Sequence, residues 1–433
     1  MLSLFDGELL SMLPQSSYEL DAISLRKGKR PITVVNDPAI IKSVLVENAA
    51  QFPKSDVMIA ALEPLVGDGI LISNGELWRR QRSMLEPAFA QLRVRAIFPH
   101  MAGALDAFVE KLGLQEGDVA LEAEISALAL EIICRTIFSY SLSDDLAHKV
   151  FVAFSAYQKL LPQAGPMMLL GYARQDDNHA QLRKASETLR ALVVELLETR
   201  LSDPKGSEPK SDMLQSILDA RHAADGKGFE TREIIDQVMV FFLAGHETSA
   251  SALSWALFIV SQLPQMAAEL RAEVERVAPG RPLRYEDIGS LTLARTIFLE
   301  ALRLYPPAAF LTRLSLQRAV FGPHVIEPQS LVVISPWLVH RHRSLWSMPE
   351  YFIPERFSDN RENEIRSGSF IPFGLGPRVC PGRVLAMIEG PYLMAEIVRH
   401  FDLDVQNAAA IMPVGRLTIR PNVSIRCRAE SVN

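Results

Sequence analysis

The sequence predicts a large, mainly helical domain with a small β region. Over residues 93–200, apolar residues recur at spacings of three and four, which is the period of helices with one buried face. A single very long helix is expected over 231–263, from a cap at Thr231 to a stop at Pro264. Its middle is apolar on every side, so we expect it to run buried through the core. Only a few short β-prone runs accompany these helices.

Breaker residues and short runs place the remaining elements. Residues 201–210 form a polar stretch with proline and glycine, which indicates a surface loop and not a domain boundary, so we predict one domain over 1–433. The other expected elements are a strand at 31–35, a helix at 38–50, an irregular segment at 52–73, a helix capped by Asn74, strands near 312–316 and 330–335, an irregular stretch at 346–380, a helix from Pro381 to about Phe401, and a small closing sheet.

Composition excludes several classes of protein. The 433 residues, of which 48% are hydrophobic, suffice to bury a large core. The formal net charge is −6 and neither terminus carries a long block of like charge, which argues against nucleic-acid binding. Three scattered cysteines do not form a disulfide framework, and no apolar run near the N-terminus approaches the roughly 20 residues of a membrane span. We therefore predict a cytoplasmic protein with no transmembrane anchor.

The most informative segment runs from Phe373 to Gly382, with the sequence FGLGPRVCPG. It presents Cys380 in a glycine-rich loop at the start of a helix, where the helix N-terminus favours a thiolate. The glycines permit close approach to a large group, and Arg378 offers a cation to a carboxylate. A lone cysteine is more often a buried core residue. However, a third glycine for a dinucleotide-binding pattern is missing, and so is a second nearby cysteine for a zinc or iron–sulfur site.

This loop resembles the cysteine-ligand loop of the cytochrome P-450 superfamily at every defining position, namely Phe373, Gly374, Gly376, Arg378, Cys380 and Gly382. The resemblance spans about 37–425 and is to soluble, bacterial-type members. It implies the single-domain cytochrome P-450 fold, a triangular prism that holds haem b between the long central helix and the helix after the cysteine loop. It also implies that Cys380 is the axial thiolate ligand of the iron. The further haem contacts implied in and after this loop are Pro372, Phe373, Gly374, Arg378, Gly382 and Ala386.

A second motif, EALR at 300–303, places a carboxylate and a guanidinium three residues apart on one helix face. On its own, such a pair is usually a solvated salt bridge that contributes about 0.3 kcal/mol. A further arginine follows in PERF at 354–357. The resemblance implies a buried structural triad of Glu300, Arg303 and Arg356, which fixes the cysteine loop and takes no part in the chemistry.

A third motif, AGHETS at 244–249, lies in the long helix. A zinc protease would need a second histidine four residues after His246, and alanine stands there instead. A glycine in mid-helix costs about 1 kcal/mol relative to alanine, so Gly245 suggests close approach by a ligand. The Thr248 hydroxyl can bond back to the Ala244 carbonyl and distort the helix. Without further context, a kinked core helix with stray polar residues would explain the motif equally well.

The resemblance assigns this motif to the oxygen-binding side of the haem. It implies that Ala244, Gly245 and Thr248 contact the cofactor. It also implies that Glu247 and Thr248 form an acid–alcohol pair that relays protons during the activation of dioxygen.

The fourth motif is WRRQR at 78–82, in which Trp78 and Arg82 lie four residues apart on one helix face. The ordinary interpretation is an exposed basic face. The resemblance instead implies that Trp78 and Arg82 bind a haem propionate, and that Arg313 and Arg378 are the remaining propionate partners. Charge-assisted bonds of this kind orient the ring.

The implied activity is that of a haem-thiolate monooxygenase, which inserts one atom of the cosubstrate dioxygen into an apolar molecule. The chain shows no flavin or iron–sulfur module, so electrons are expected from a ferredoxin and an NAD(P)H-dependent ferredoxin reductase. We expect a monomer whose ferredoxin docks on a basic patch of Arg79, Arg80 and Arg383.

Three other functions remain open at this point. A peroxygenase would use hydrogen peroxide, and a haem-thiolate isomerase would rearrange its substrate. Both often lack the acid–alcohol pair, which is present here as Glu247 and Thr248. A non-enzymatic haem-thiolate gas sensor would need an output domain or a signalling surface, and the sequence shows neither.

The substrate cannot be read from the sequence beyond its apolar character. A fatty acid, terpenoid, carotenoid or steroid fits equally well. The 160–172 region, with Met167, belongs to the expected pocket. Its other expected residues are Met58, Ile59, Leu62, Leu65, Phe242, Ala244, Ala309, Phe310 and Val414.

One departure from the family pattern lies at 327–330. The family often has Pro-x-Gly at this turn, whereas Pro328 is followed here by Gln329 and Ser330. A turn without glycine can be of type I.

Overall fold

The computed structural model describes residues 10, 13–27, 30–89, 91–139, 149, 152–154, 156–157, 160, 177–202, 212–359, 361, 363 and 365–432. The predicted 201–210 loop and the 160–172 region, with Met167, lie almost wholly outside these residues. The described helices are α1 (Pro38–Lys42), α2 (Asp56–Val66), α3 (Gly75–Leu85), α4 (Gln91–Gly113), α5 (Leu121–Phe138), α6 (Asp177–Ser202), α7 (Met213–Asp219), α8 (Thr231–Ser261), α9 (Pro264–Val277), α10 (Thr292–Leu304), α11 (Pro336–Val339) and α12 (Arg383–His400).

Helices dominate, as the sequence predicts, and the strands are short. Together, these elements confirm the mainly helical fold with a small β region. The strands are β1 (Ala22–Lys27), β2 (Arg30–Val35), β3 (Val119–Ala120), β4 (Leu311–Leu314), β5 (Ala319–Phe321), β6 (His324–Ile326), β7 (Leu331–Ile334), β8 (Phe401–Val405), β9 (Pro413–Gly415), β10 (Ile419–Pro421) and β11 (Arg426–Ser431).

Helix α8 is the centre of the fold, in contact with α5, α10 and α12. Its 31 residues include a buried run from Val238 to Leu243, which agrees with an apolar surface on all sides. The predicted cap at Thr231 is wrong by one residue. The cap is Glu230, whose side chain and backbone exchange hydrogen bonds with Glu233.

The largest sheet has the strand order β1-β2-β7-β4. Strands β2 and β7 are parallel, with Ile32 opposite Leu331, whereas β4 pairs antiparallel with β7 and sets Thr312 opposite Val333. Strand β4 thereby sets Arg313 opposite Val332 of β7. A second sheet, β3-β11-β8, and the hairpin β9–β10 form the predicted closing region.

Two predicted boundaries need correction. The segment 52–73 is not irregular throughout, because α2 occupies Asp56–Val66. The Ser55 hydroxyl caps α2 by accepting the Met58 N–H, and α2 continues through a proline near its C-terminal end. The last helix begins at Arg383 and not at Pro381, with Gly382 as its cap.

The glycine-free turn at 327–330 is not of type I. The Ser330 N–H donates to the Glu327 carbonyl at 3.2 Å, but Gln329 has a φ of +61°. This is the left-handed conformation that position three of a type II turn requires and that glycine adopts most easily. Gln329 thus occupies a glycine-type backbone position without being glycine.

Among the described residues, none of the helices combines the length and the apolar character that crossing a bilayer requires.

Candidate functional site

A cavity of about 310 Å³ lies between α8 and α12, a size in the range of small-molecule sites. Every residue predicted to contact a cofactor lines this cavity. These residues are Trp78, Arg82, Ala244, Gly245, Thr248, Arg313, Pro372, Phe373, Gly374, Arg378, Cys380, Gly382 and Ala386.

Cys380 stands in the wall of the cavity at the end of a closed loop. The Cys380 N–H donates to the Phe373 carbonyl at 2.9 Å. Desolvation raises the pKa of the Cys380 thiol, while the Gly382 N–H and the Arg82 guanidinium act to lower it. A metal cation facing this sulfur would favour the thiolate form.

Gly376 is required by packing against the N-terminal part of the chain. Gly374 and Gly376 have φ values of +73° and +74°, which disfavour other residues. A Cβ atom on Gly376 would lie only 2.2 Å from the Leu45 carbonyl oxygen. Leu45 belongs to a π-helical segment, Ser43–Glu47, that continues α1. The cysteine loop therefore packs closely against the Ser43–Glu47 segment.

Three cations, Lys54, Arg313 and Arg378, converge on one side of the cavity. Burial lowers the pKa of Arg313 to about 10. Burial, followed by repulsion from Arg313, lowers the pKa of Arg378 to about 10. The pKa of Lys54 falls well below its usual value through burial and through repulsion from both arginines. Within the part of the chain that the structure describes, none of the three forms a salt bridge with a carboxylate.

This charge pattern suits a cofactor that carries carboxylates. Unpaired cations in a low-dielectric site are costly, and an anion placed among them would remove the mutual repulsion. Haem b has two propionates and an iron that binds a thiolate. The cation cluster and Cys380 therefore fit haem b. Lys54 was missed by sequence reasoning, because a single lysine after Pro53 carries no pattern of its own.

Asn74 and Trp78 hold Arg378 in place. The Asn74 Oδ1 atom accepts hydrogen bonds from the Lys54 N–H and from Arg378 Nη2, both at 2.9 Å. Arg378 also stacks over the Trp78 ring at 4.3 Å. Asn74 occupies the cap position of α3, but its side chain makes no capping bond. Its predicted role as a side-chain cap is therefore wrong.

Two residues of α8 make notable contacts where the helix meets the cavity. The Thr248 hydroxyl donates to the Ala244 carbonyl at 2.5 Å, the bond expected from the sequence. Gly245 lines the cavity, but a Cβ atom on it would lie 2.4 Å from Ile133 Cδ1 of α5. The glycine is thus explained by the packing of α5 on α8, and not by close approach of a ligand alone.

Glu247 is buried and points away from the cavity lining. Its carboxylate pairs with Arg420 and accepts a hydrogen bond from the Thr418 hydroxyl at 3.2 Å. Both partners belong to the β9–β10 region. Helix geometry explains the separation, since consecutive residues on a helix point about 100° apart. Thr248 faces the cavity while Glu247 faces the hairpin.

The structure brings Glu300, Arg303 and Arg356 together in the core. Arg303 binds Glu300 through two bonds of 2.8 Å, and Arg356 Nε reaches Glu300 Oε1 at 3.4 Å. The two arginines also donate to the carbonyls of Met348, Pro349 and Tyr351. The triad therefore fixes the irregular stretch that leads to the cysteine loop.

The comparison with protein-family models gives one decisive finding. The cytochrome P450 family model matches residues 15–422. The chain belongs to the cytochrome P450 family.

Known cytochrome P450s resemble the chain over nearly its whole length. The chain is 31% identical over 428 residues to cyclooctatin synthase of Streptomyces melanosporofaciens, covering 96% of the chain and 88% of that protein. It is 29% identical over 406 residues to cyclooctat-9-en-7-ol 5-monooxygenase of the same organism, covering 92% and 84%. It is 28% identical over 421 residues to pentalenene oxygenase of Streptomyces avermitilis, covering 97% and 92%.

The family settles the type of chemistry. The protein is a cytochrome P450 monooxygenase, an oxidoreductase that uses haem b with an axial cysteine thiolate and dioxygen as cosubstrate. When bound, the haem supplies the iron centre at which dioxygen is activated, and electron donation from the thiolate favours cleavage of the O–O bond.

A buried histidine of this cytochrome P450 was not singled out from the sequence. The Ile371 N–H, just before the cysteine loop, donates to His340 Nε2 at 2.9 Å. Burial and the nearby Arg303 lower the pKa of His340 to about 3. His340 is therefore a neutral connector between α10 and the loop. Its signal in the sequence is weak, because a histidine at the end of a short helix has many uses.

Most residues predicted for the substrate pocket do not line this cavity. Phe242 is buried in the core, and its neighbour Phe241 lines the cavity instead. Leu62 and Leu65 are likewise buried core residues of α2 and do not line this cavity. Ala244 is a lining residue. The remaining pocket predictions, which the lining does not include, are Met58, Ile59, Ala309, Phe310 and Val414.

The predicted ferredoxin-docking patch loses one of its three arginines. Arg80 is partly buried and donates to Glu233 at 2.5 Å and to the Gly228 carbonyl at 3.1 Å. It therefore joins α3 to the start of α8. Arg79 and Arg383 are exposed, although Arg79 pairs with Glu76.

Proposed function

We propose that this cytochrome P450 oxygenates an apolar terpenoid, with Cys380 as the ligand of the haem iron. The single observation that carries the assignment of the site is a cavity whose lining includes both Cys380 and the three cations Lys54, Arg313 and Arg378. Trp78 and Arg82 complete the proposed propionate sites. Arg82 also donates to the Val379 carbonyl at 3.0 Å, so cofactor and loop are held by the same side chain.

The proposed proton relay consists of Thr248 and Glu247. The Thr248 hydroxyl lies at the cavity wall, where it can hold a proton or orient a water molecule. Glu247 lies one residue away and is paired with Arg420. For Glu247 to carry protons inward from solvent, Arg420 must release it. The relay is therefore controlled by the β9–β10 hairpin.

The apolar wall of the cavity supports a hydrocarbon-like substrate. Its lining from α8 and from the segment that leads into β4 includes Val240, Phe241, Ala308 and Leu311, which offer no charge to anchor a polar molecule. The names of two relatives specify cyclooctat-9-en-7-ol and pentalenene, both terpenoids. A terpenoid is accordingly favoured over a fatty acid or steroid.

Electrons are proposed to come from a ferredoxin and its NAD(P)H-dependent reductase. Arg79 and Arg383 are the exposed cations proposed to meet an acidic ferredoxin. A cytoplasmic location, a monomeric state and a single domain over 1–433 remain predictions.

The first experiment is the carbon monoxide difference spectrum of the reduced, purified protein. A strongly red-shifted Soret band is expected, and Cys380→Ser should abolish it while Cys427→Ser should not. Cys427 is the matched control, since it is a buried cysteine of β11 outside the cavity. A normal spectrum in Cys380→Ser would refute the ligand assignment.

Turnover is tested next with pentalenene, a ferredoxin and its reductase. Formation of an oxygenated product is expected. Turnover driven by hydrogen peroxide without ferredoxin would indicate a peroxygenase. Binding of carbon monoxide with no turnover of pentalenene or other terpenes would refute the terpenoid proposal.

A further inference from the structure

Helix α5 contributes one wall of the cavity. The lining residues from this helix are Ala129, Ile132, Ile133 and Thr136. Their spacing of three and four residues places them on one face of the helix. Three of the four side chains are apolar, whereas Thr136 carries a hydroxyl. The face of α5 that borders the cavity therefore holds a polar group within an apolar surface.

The Thr136 hydroxyl is buried without a partner. Thr136 is 0% exposed, and among the described residues its Oγ1 atom has no hydrogen bond. In contrast, Thr188, Thr199 and Thr248 each donate their hydroxyl to the carbonyl four residues earlier in their own helix. A buried hydroxyl without a partner is unfavourable, because it has lost its bonds to water. A ligand in the cavity that supplies an oxygen atom would remove this cost.

The surroundings of Thr136 favour a neutral partner. The elements packed against α5 include α7 and α8, and they add Met213, Val240 and Phe241 to the lining. None of these side chains is charged, and the cation cluster is assigned to the haem propionates. A charged group of a ligand would therefore lack a counter-charge beside Thr136. A hydroxyl or a carbonyl group, which needs a hydrogen bond but no counter-charge, fits the position.

We propose that Thr136 selects a terpenoid that already carries a hydroxyl or carbonyl group, by forming a hydrogen bond with that oxygen. The inference rests on the proposed terpenoid oxygenation and narrows its substrate class. The apolar wall contacts the hydrocarbon frame, and the bond to Thr136 fixes its orientation. The reaction that supplies such a substrate must introduce oxygen first. It is either a cyclisation that ends with the capture of water or an earlier hydroxylation.

Unfolding without a ligand tests whether the Thr136 hydroxyl is unpaired. Thr136→Val removes the hydroxyl and nearly preserves the shape, and the two residues have similar helix propensities. Because no bond is lost, the thermal unfolding temperature of the haem-loaded protein should stay unchanged or rise. A clear decrease would show that the hydroxyl is bonded within the fold, and it would overturn the inference.

Binding of matched compounds to the haem-loaded protein tests the selection. Cedrol carries a hydroxyl that the related hydrocarbon α-cedrene lacks, and dodecanol and dodecane form a second, linear pair. Titrations followed by the shift of the Soret band give the dissociation constants. In Thr136→Val, binding of cedrol should weaken by roughly tenfold, whereas binding of α-cedrene should stay unchanged. Thr136→Ser, which keeps a hydroxyl, should retain the wild-type ratio of the two constants.

Ile132→Val is the matched control, because it shortens a side chain of the same wall without changing its polarity. It should affect both members of a pair alike. Equal effects of Thr136→Val on cedrol and α-cedrene would overturn the inference, while oxygenation of either compound would still support the terpenoid proposal. If only the linear pair binds, the terpenoid proposal fails, and a selective loss of dodecanol binding in Thr136→Val would support the hydroxyl contact. If neither pair binds, both proposals fail.

Discussion

Arg303 and His340 each donate a side-chain hydrogen bond to the backbone carbonyl of the other. Arg303 Nη1 donates to the His340 carbonyl at 2.8 Å, and His340 Nδ1 donates to the Arg303 carbonyl at 3.1 Å. The other ring nitrogen of His340 accepts the Ile371 N–H. This fixes one neutral tautomer and links the triad to the backbone that leads into the cysteine loop.

His340→Phe should weaken both the fold and haem retention. The substitution leaves the Ile371 N–H and the Arg303 carbonyl without their partner, and each buried unpaired group costs roughly 1–3 kcal/mol. Chemical unfolding and the rate of haem transfer to an acceptor protein measure the two effects. His324→Phe, in β6, is the control and should change haem loss little.

The stability of the protein should decrease as the pH falls from about 6.5 to about 4. Burial lowers the pKa of His340 to about 3 and that of His246 to about 4. Unfolding releases each imidazole to its ordinary pKa near 6.5, so the unfolded chain binds more protons in this range. Each histidine contributes a slope of up to about 1.4 kcal/mol per pH unit. Urea unfolding at several pH values should show a smaller slope for His340→Gln; an equal slope would contradict the assignment.

Arg303→Lys should be severely destabilising despite the conserved charge. Lysine cannot reproduce the two parallel bonds to Glu300 together with those to three carbonyls. Breaking a buried ion pair of this kind costs about 3–5 kcal/mol. Soluble yield and thermal unfolding report the loss. Glu76→Gln removes the exposed pair with Arg79 and should alter stability by well under about 1 kcal/mol.

Lys54→Met should stabilise the haem-free protein but weaken the binding of haem. Without haem, it removes a cation that Arg313 and Arg378 repel, so unfolding should require a higher temperature. With haem, it removes a proposed propionate partner, so haem should dissociate faster. Lys42→Met, which affects an exposed pair with Glu47, should do neither. If the substitution stabilised both the haem-free and the haem-bound protein, or destabilised both, the result would count against the propionate role.

Thr248→Ala should retain haem but divert electrons to hydrogen peroxide. The hydroxyl at the cavity wall is lost, while Cys380 and the cation cluster are untouched. Peroxide yield and product yield are measured together in the presence of pentalenene. Thr296→Ala, which removes another hydroxyl bonded to its own helix, is the control. Fully coupled product formation in Thr248→Ala would contradict the relay.

The parts of the site that were predicted from sequence are those with a local pattern. The cysteine loop, the EALR pair and the AGHETS motif each contain several informative residues within ten positions. Lys54 and His340 act through partners distant in the sequence, so no short pattern marks them. Sequence reasoning predicts Phe242 as a pocket residue, whereas Phe241 lines the cavity. A shift of one residue turns a helical side chain by about 100°, and in a helix that is apolar on every side the sequence does not indicate which side faces the cavity.

The fit of Gly376 against Leu45 has a consequence for folding. The cofactor loop reaches its final shape only when segments from opposite ends of the chain have met, as do the contacts of Arg82 with Val379 and of Arg378 with Asn74. Contacts between such distant segments carry a large loop-closure entropy and tend to form slowly. Haem capture is thereby coupled to completion of the whole fold. A truncated or partly folded chain contains Cys380 but lacks the surrounding structure that allows this cysteine to bind the iron.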